Sequence, residues 1–252
     1  MNASPLELMA VVMARHLRDG EVVVMGAVPL LPLAACRLAK ARHAPRLWFI
    51  VGGSGTVNPE PDGLPGSSCD PRLSPAPCTL PLPDVVLLEG RGDVLDVFCA
   101  GGLQIDPYGN CNLVGVGDRA RPRLRGPGSV GLPFLPVVRR SILYTLSHSP
   151  RTFVERLDFV SGAGHPARDD QRRPYRREGP SLVVTPMATL DFAPESGRMR
   201  LASVHPGVRV EDVVAATGFE LVVPASVPQT PPPTEEELAQ LRRLDPQGAL
   251  RR

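Results

Sequence analysis

Apolar positions recur along this chain in two rhythms, one helical and one extended. Between residues 4 and 17, Leu6, Met9, Ala10, Met13 and Leu17 return at helical spacing and predict a helix with one buried face. Ser4 is placed to cap it, Pro5 suits its first turn, and Glu7 completes a capping box. Gly20 ends the helix, and the β-branched run at 21–25 predicts a short buried strand. Residues 29–45 predict a second, alanine-rich helix closed by His43 and Pro45, and residues 47–51 the next strand. Alternation of this kind predicts an α/β fold, with an open, mostly parallel sheet covered by helices.

Further along, residues 58–83 carry eight prolines and predict a long loop, which in a compact domain is either functional or disordered. A short helix from about Asp84, a turn at 90–93 and a strand at 94–100 follow. Residues 101–118 read as a glycine-studded turn leading into another strand. The C-terminal half is β-rich, with extended runs at 141–146, 152–160, 181–185, 189–193 and 199–204. A short helix stopped by Gly218 and a last strand complete a single α/β domain of residues 1–228. Residues 229–252 read as a Pro-rich linker and a short charged helix, capped by Thr234 with Glu237 three residues on.

Composition narrows the classes of function. A net charge of +2 offers no nucleic-acid surface, and the Arg-rich run at 168–177 is broken by carboxylates and Pro174, as in a solvated loop. Five cysteines without a CxxC pair or a spaced histidine indicate neither a disulfide framework nor a metal site, so a reducing cytoplasm is expected. No apolar run approaches the roughly 18 residues that a membrane span requires.

The stretch "LWFIVGGSGTV" at 47–57 runs an apolar strand into a glycine turn, the junction where open α/β sheets place ligands. No residue in it is an acid, a base or a strong nucleophile. Neither this turn nor the one at 101–102 is a dinucleotide fingerprint or a P-loop. Cys99 and Cys111 read as small core residues, Tyr108, Gly109 and Asn110 as a turn, and His148 and His165 as lone histidines near loops. Glu155 and Asp158 would alternate along a strand, facing solvent or a partner chain.

Three segments together carry a resemblance: "GGLQIDPYGNCN" at 101–112, "RTFVERLDFVSGAGH" at 151–165 and "LASVHPGVRVEDVVAATGFEL" at 201–221. They resemble the β-type subunit of the family I coenzyme A transferases, over about residues 8–246. The resemblance implies an acyl-CoA substrate, an α-type partner subunit that completes a heteromer, and no cofactor beyond the coenzyme A of the substrate. It also implies that the turn after the strand at 47–51 carries a glutamate nucleophile, where this chain has Val51, Gly52 and Gly53. Branches of the family cleave acyl-CoAs by hydrolysis or decarboxylation instead of transferring coenzyme A, and these fit the missing carboxylate. A transferase, or a scaffold whose partner holds the reactive residue, is the alternative. On the same basis the amides of Gly101 and Gly102 are the catalytic candidates, polarising the thioester carbonyl, while Gly52, Gly53, Ser54, Gln104 and Asp106 border the substrate. His165 adjoins the segment that lies near the active cleft in this family.

Overall fold

The computed structural model describes residues 3–129, 131–165 and 178–251, so the Arg-rich run at 168–177 lies outside the described residues. In chain order the first elements are α1 (Pro5–Arg15), β1 (Val22–Met25), α2 (Leu30–Arg42), β2 (Trp48–Val51), β3 (Thr56–Val57), β4 (Cys78–Thr79), α3 (Leu82–Glu89) and β5 (Val97–Gly101). Then come β6 (Gln104–Ile105), β7 (Cys111–Asn112), β8 (Gly115–Gly117), β9 (Pro122–Arg125), β10 (Arg140–Tyr144), β11 (Gly179–Val184), β12 (Ala188–Phe192), β13 (Met199–Val204), α4 (Val210–Ala215) and α5 (Glu235–Leu244). The chain divides into two compact units, residues 1–99 with 232–252 and residues 100–231.

In the first unit the strands run in the order β5-β1-β2-β3-β4. β1 is parallel to both neighbours, with Met25 level with Val51 on one side and Cys99 on the other. The strands next outward, β3 and β4, are antiparallel. Chain direction therefore brings the carboxyl ends of β1, β2 and β5 to one level, the edge of an open α/β sheet at which ligands bind.

Both expected capping boxes are present, Ser4 with Glu7 and Thr234 with Glu237. The one-faced burial expected of α1 is not what forms. Every residue from Glu7 to Ala14 is buried, because α2 packs on one side while α5 and the turn at 249–251 pack on others. Glu7, only 1% exposed, meets Arg242 of α5 at 2.7 Å. This ion pair fastens the C-terminal helix to the start of the chain.

The Pro-rich segment at 58–83 is ordered. Arg37 of α2 donates Nη1 to the carbonyls of Pro61 and Gly63, both at 3.1 Å, and Leu64 and Leu73 are buried beneath the segment.

The second unit orders its strands β13-β12-β11-β10, with β10 parallel to β11 and the rest antiparallel. Two expected strands are absent. Residues 152–160 make only isolated bridges, Phe153 to Ile105 and Val154 to Gly218. Phe153, fully buried with its ring 4.4 Å from that of His148, anchors this segment as a single plug, so its apolar alternation is not a ladder. Residues 219–223 likewise touch the sheet only through a Val222 bridge to Arg200. The remaining α/β reading holds: the first unit has a parallel β5-β1-β2 core with antiparallel β3 and β4 beyond it, and the second unit is β-rich.

Candidate functional site

The turn after β2 is built by the sheet itself. Gly52 N–H donates to the Met25 carbonyl at 2.9 Å, extending the β1–β2 ladder one residue past Val51. Gly55 N–H donates back to the Val51 carbonyl, and Ser54 Oγ lies 2.7 Å from Thr56 Oγ1. Gly55 has φ +69°, and a Cβ there would fall 2.0 Å from the Leu80 carbonyl oxygen, so only glycine fits.

Gly52 and Gly53 have ordinary φ, so backbone strain does not account for them. Space does. A Cβ on Gly53 would lie 2.0 Å from Ser68 Oγ and 2.8 Å from Ser68 Cβ. Ser68 comes from the Pro-rich segment, is 2% exposed, and is moored by its N–H to the Ala27 carbonyl beyond β1. Its hydroxyl bonds no described residue. A Cβ on Gly52 would lie 3.0 Å from the Met25 carbonyl and 3.4 Å from Glu89 Oε1. Two side-chain-free positions are thus each faced by a polar side chain from another element.

Glu89 ends α3 and is 7% exposed, with no hydrogen bond to any described residue. Burial alone pushes its carboxyl up to about 7. Meanwhile Leu82, Val86 and Leu87 of the same helix are exposed. The helix is inside out, with its acid buried and its apolar residues in the open. Sequence reasoning missed both Ser68 and Glu89. Glu89 had a signal, since Val85 and Glu89 share a helical face and Val85 is the residue that must face the core. Ser68 had none, because nothing local says which residue of a long loop meets a distant glycine.

In the second unit, β6 and β7 form a hairpin whose tip is tied by Asp106. Its Oδ1 accepts from the backbone N–H groups of Tyr108 and Asn110, and its Oδ2 from Asn110 Nδ2 at 2.7 Å. Gly109 takes the left-handed conformation this tip needs, at φ +73°. Desolvation raises the Asp106 carboxyl against those lowering hydrogen bonds. Gln104, 5% exposed, donates to Asp158 Oδ2 at 2.9 Å and accepts from Asn112 Nδ2 at 2.7 Å. Both side chains spend their polar atoms inside the chain, so in this state they position the 101–112 segment. Asp158 does not sit on a strand facing outward. It is exposed, but its Oδ2 also accepts from Gly117 N–H.

Gly101 ends β5, two residues beyond Cys99, and a Cβ on it would approach the Tyr144 carbonyl to 3.2 Å. A Cβ on Gly102 would lie 3.0 Å from the Gln104 carbonyl. Cys99 and Cys111 are buried, and burial pushes the Cys111 thiol up to about 12, which removes it as a nucleophile. His148 is locked between the Thr185 and Thr217 hydroxyls, and desolvation lowers it to about 4. His165 stacks on Phe192 at 4.7 Å with Nε2 on the Pro180 carbonyl. Among the described residues no cluster of His, Cys, Asp or Glu is arranged to hold a metal ion, and no helix is long and apolar enough to cross a membrane.

The packing of this turn has measurable consequences for stability. Gly53→Ala should cost about 1–3 kcal/mol in urea denaturation by overpacking, and Ser68→Gly in the same chain should recover most of it. An alanine variant as stable as the parent would show that Ser68 does not fill this space. For Glu89 the ordinary value of 4.5 applies to the unfolded chain, and the folded carboxyl titrates at about 7. Between those values the folded state holds a proton that the unfolded state releases, so this contribution is lost as pH rises from 4.5 to 7. Glu89→Gln should therefore gain on the parent by on the order of 2–3 kcal/mol between about pH 4.5 and 8. A difference that does not change with pH would contradict the burial.

Comparison with known proteins agrees across the whole chain. A family model described as Coenzyme A transferase matches residues 6–216. A 3-oxoadipate CoA-transferase subunit of Pseudomonas knackmussii is 32% identical, over 96% of this chain and 94% of its own. The cholesterol ring-cleaving hydrolase IpdB subunit of Mycobacterium bovis is 29% identical, over 96% and 95%. Among solved structures, glutaconate coenzyme A-transferase from Acidaminococcus fermentans superposes with a TM-score of 0.88 at 31% identity, covering 100% of this chain and 98% of that one. The decarboxylase AibA/AibB superposes at 0.85 with 25% identity, covering 99% and 98%. By the family model over residues 6–216 and the relative at 32% identity, this chain belongs to the coenzyme A transferase family.

Proposed function

We propose that this chain is the β-type half of a heteromeric enzyme that cleaves an acyl-CoA without a covalent enzyme intermediate, by decarboxylation or by hydrolytic C–C cleavage. The observation that carries the reading is the turn at 52–53, where two glycines leave no side chain to form an acyl-enzyme. The hydrolase and decarboxylase relatives support it, because they show that the family scaffold accommodates both chemistries. In either reaction a bond to the acyl chain breaks and its electron pair moves toward the thioester carbonyl. The amides of Gly101 and Gly102 would stabilise that oxyanion, a role typically worth about 3–4 kcal/mol per donor. Gly52, Gly53 and Ser54 would border the acyl group, and Gln104 and Asp106 would hold the 101–112 segment in place.

An α-type subunit completes the enzyme in this reading. The exposed Leu82, Val86 and Leu87 of α3 offer apolar surface of the kind that partners cover. No cofactor enters the reaction. The transferase relative at 32% identity favours a second reading, in which coenzyme A is transferred by a nucleophile that the partner supplies.

The test is mass spectrometry of the pair reconstituted with its α-type subunit, given branched and dicarboxylic acyl-CoAs with acetate as acceptor. The expected products are a decarboxylated or ring- or chain-cleaved CoA thioester, formed by the pair and not by this chain alone. Acetyl-CoA appearing without C–C cleavage would overturn the proposal in favour of transfer.

A further inference from the structure

Among the described residues, Glu89 is the buried carboxyl that faces the glycine turn, and the function proposed above leaves it unused. It reaches Gly52 from α3 at 3.4 Å from the missing Cβ, is 7% exposed and accepts no hydrogen bond from a described residue. The strands beneath it, β1 with sequence VVVM and β2 with WFIV, bring no titratable group. On its own helix Asp84 is the only other ionisable residue, and just beyond it Arg91 and Asp93 pair with each other. No neighbouring charge shifts its titration. An acid in such a place lowers the stability of the fold at neutral pH, and leucine or methionine would fill the volume at no such cost. Its position, facing Gly52 just past the end of β2, supplies a reason to keep it.

We propose that Glu89 is a catalytic acid of the site, delivering its proton to the carbanion that C–C cleavage leaves on the acyl chain. The inference rests on the non-covalent reading above. In decarboxylation the bond to the carboxylate carbon breaks, carbon dioxide leaves, and the electron pair enters the enolate of the thioester. In hydrolytic cleavage, water adds to a ketone carbonyl, the adjacent C–C bond breaks, and the pair again enters the enolate. Both routes end at the same step. The enolate carbon takes the Glu89 proton to form a C–H bond, and the carboxylate is reprotonated from solvent. Burial raises the carboxyl to about 7, so a large share of it holds its proton near neutral pH, as a general acid at that pH requires. Gly52 matters to the same step, because any side chain there would stand within contact of the carboxyl.

The experiment uses the reconstituted pair in deuterated water with glutaconyl-CoA for the decarboxylating route and a 3-oxoacyl-CoA for the hydrolytic one, comparing the parent with Glu89→Gln and Glu89→Asp. The amide keeps the volume and has no acidic proton to give. A fall in kcat of about 10²-fold or more is expected for Glu89→Gln with KM changed little, together with loss of the parent's decline in kcat/KM above about pH 7. Glu89→Asp, shortened by one methylene, should retain part of the rate and the pH limb. A separate reading needs no turnover. The carboxylic C=O stretch that disappears in Glu89→Gln should shift when butyryl-CoA, which cannot be cleaved, binds the parent pair. Parental rate and pH profile in Glu89→Gln, or a stretch indifferent to butyryl-CoA, would overturn the proposal. If the stretch shifts but no acyl-CoA is cleaved, Glu89 stands at the ligand and it is the cleavage reaction that falls, and with it the proton delivery.

Discussion

Ser68 Oγ occupies the space into which a side chain at residue 53 would grow, and much of the first unit is arranged to keep it there. Arg37 grips the carbonyls of Pro61 and Gly63, Leu64 and Leu73 bury the segment, and Ser68 N–H hangs on Ala27. A loop with eight prolines loses less entropy on ordering than a flexible one would. That makes a long, well-placed loop affordable where the turn needs a lid. Ser68 makes glycine a steric requirement at 53, while a side chain at 52 would crowd the Met25 carbonyl and touch Glu89. The glycines are not simply a nucleophile that was lost.

The same constraint joins structure to chemistry. A covalent route needs a side chain rooted in the turn, and the neighbours of this turn leave little room for one. What the turn presents is backbone, a serine hydroxyl with no described partner, and a protonated carboxyl. Groups of that kind can bind, orient and donate a proton, which suits a reaction whose electrons flow into a thioester. The hairpin at 101–112 is built differently. Asp106 and Gln104 consume their polar atoms holding Asn110, Asn112 and Asp158, which fixes the backbone near Gly101 and Gly102 without exposing a reactive side chain.

The elements that were legible in the sequence are those whose signals are local. Ser4 with Glu7, and Thr234 with Glu237, announce helix starts because a capping box is complete within about four residues. The runs at 21–25 and 47–51 read as strands because both faces of a central parallel strand are apolar. The runs at 152–160 and 219–223 misled, since alternation around a single plug such as Phe153 looks the same as alternation along a ladder. The one-sided α1 misled as well, because α5, which covers another of its sides, lies far away at the other end of the chain. For the site, the glycines could be found and their reason could not. The clash with Ser68 spans a long loop, and the burial of Glu89 depends on α3 turning its apolar residues outward.

The central claim is that the turn after β2 works without covalency, and trapping during turnover tests it most directly. The reconstituted pair would be quenched with hydroxylamine or borohydride while an acyl-CoA is being consumed, and both chains mapped by peptide mass spectrometry. Product should accumulate with no adduct on any residue of this chain. An acyl or CoA-derived adduct on it, whether in the turn at 51–54 or on Glu89, would contradict the account and restore a covalent transferase mechanism.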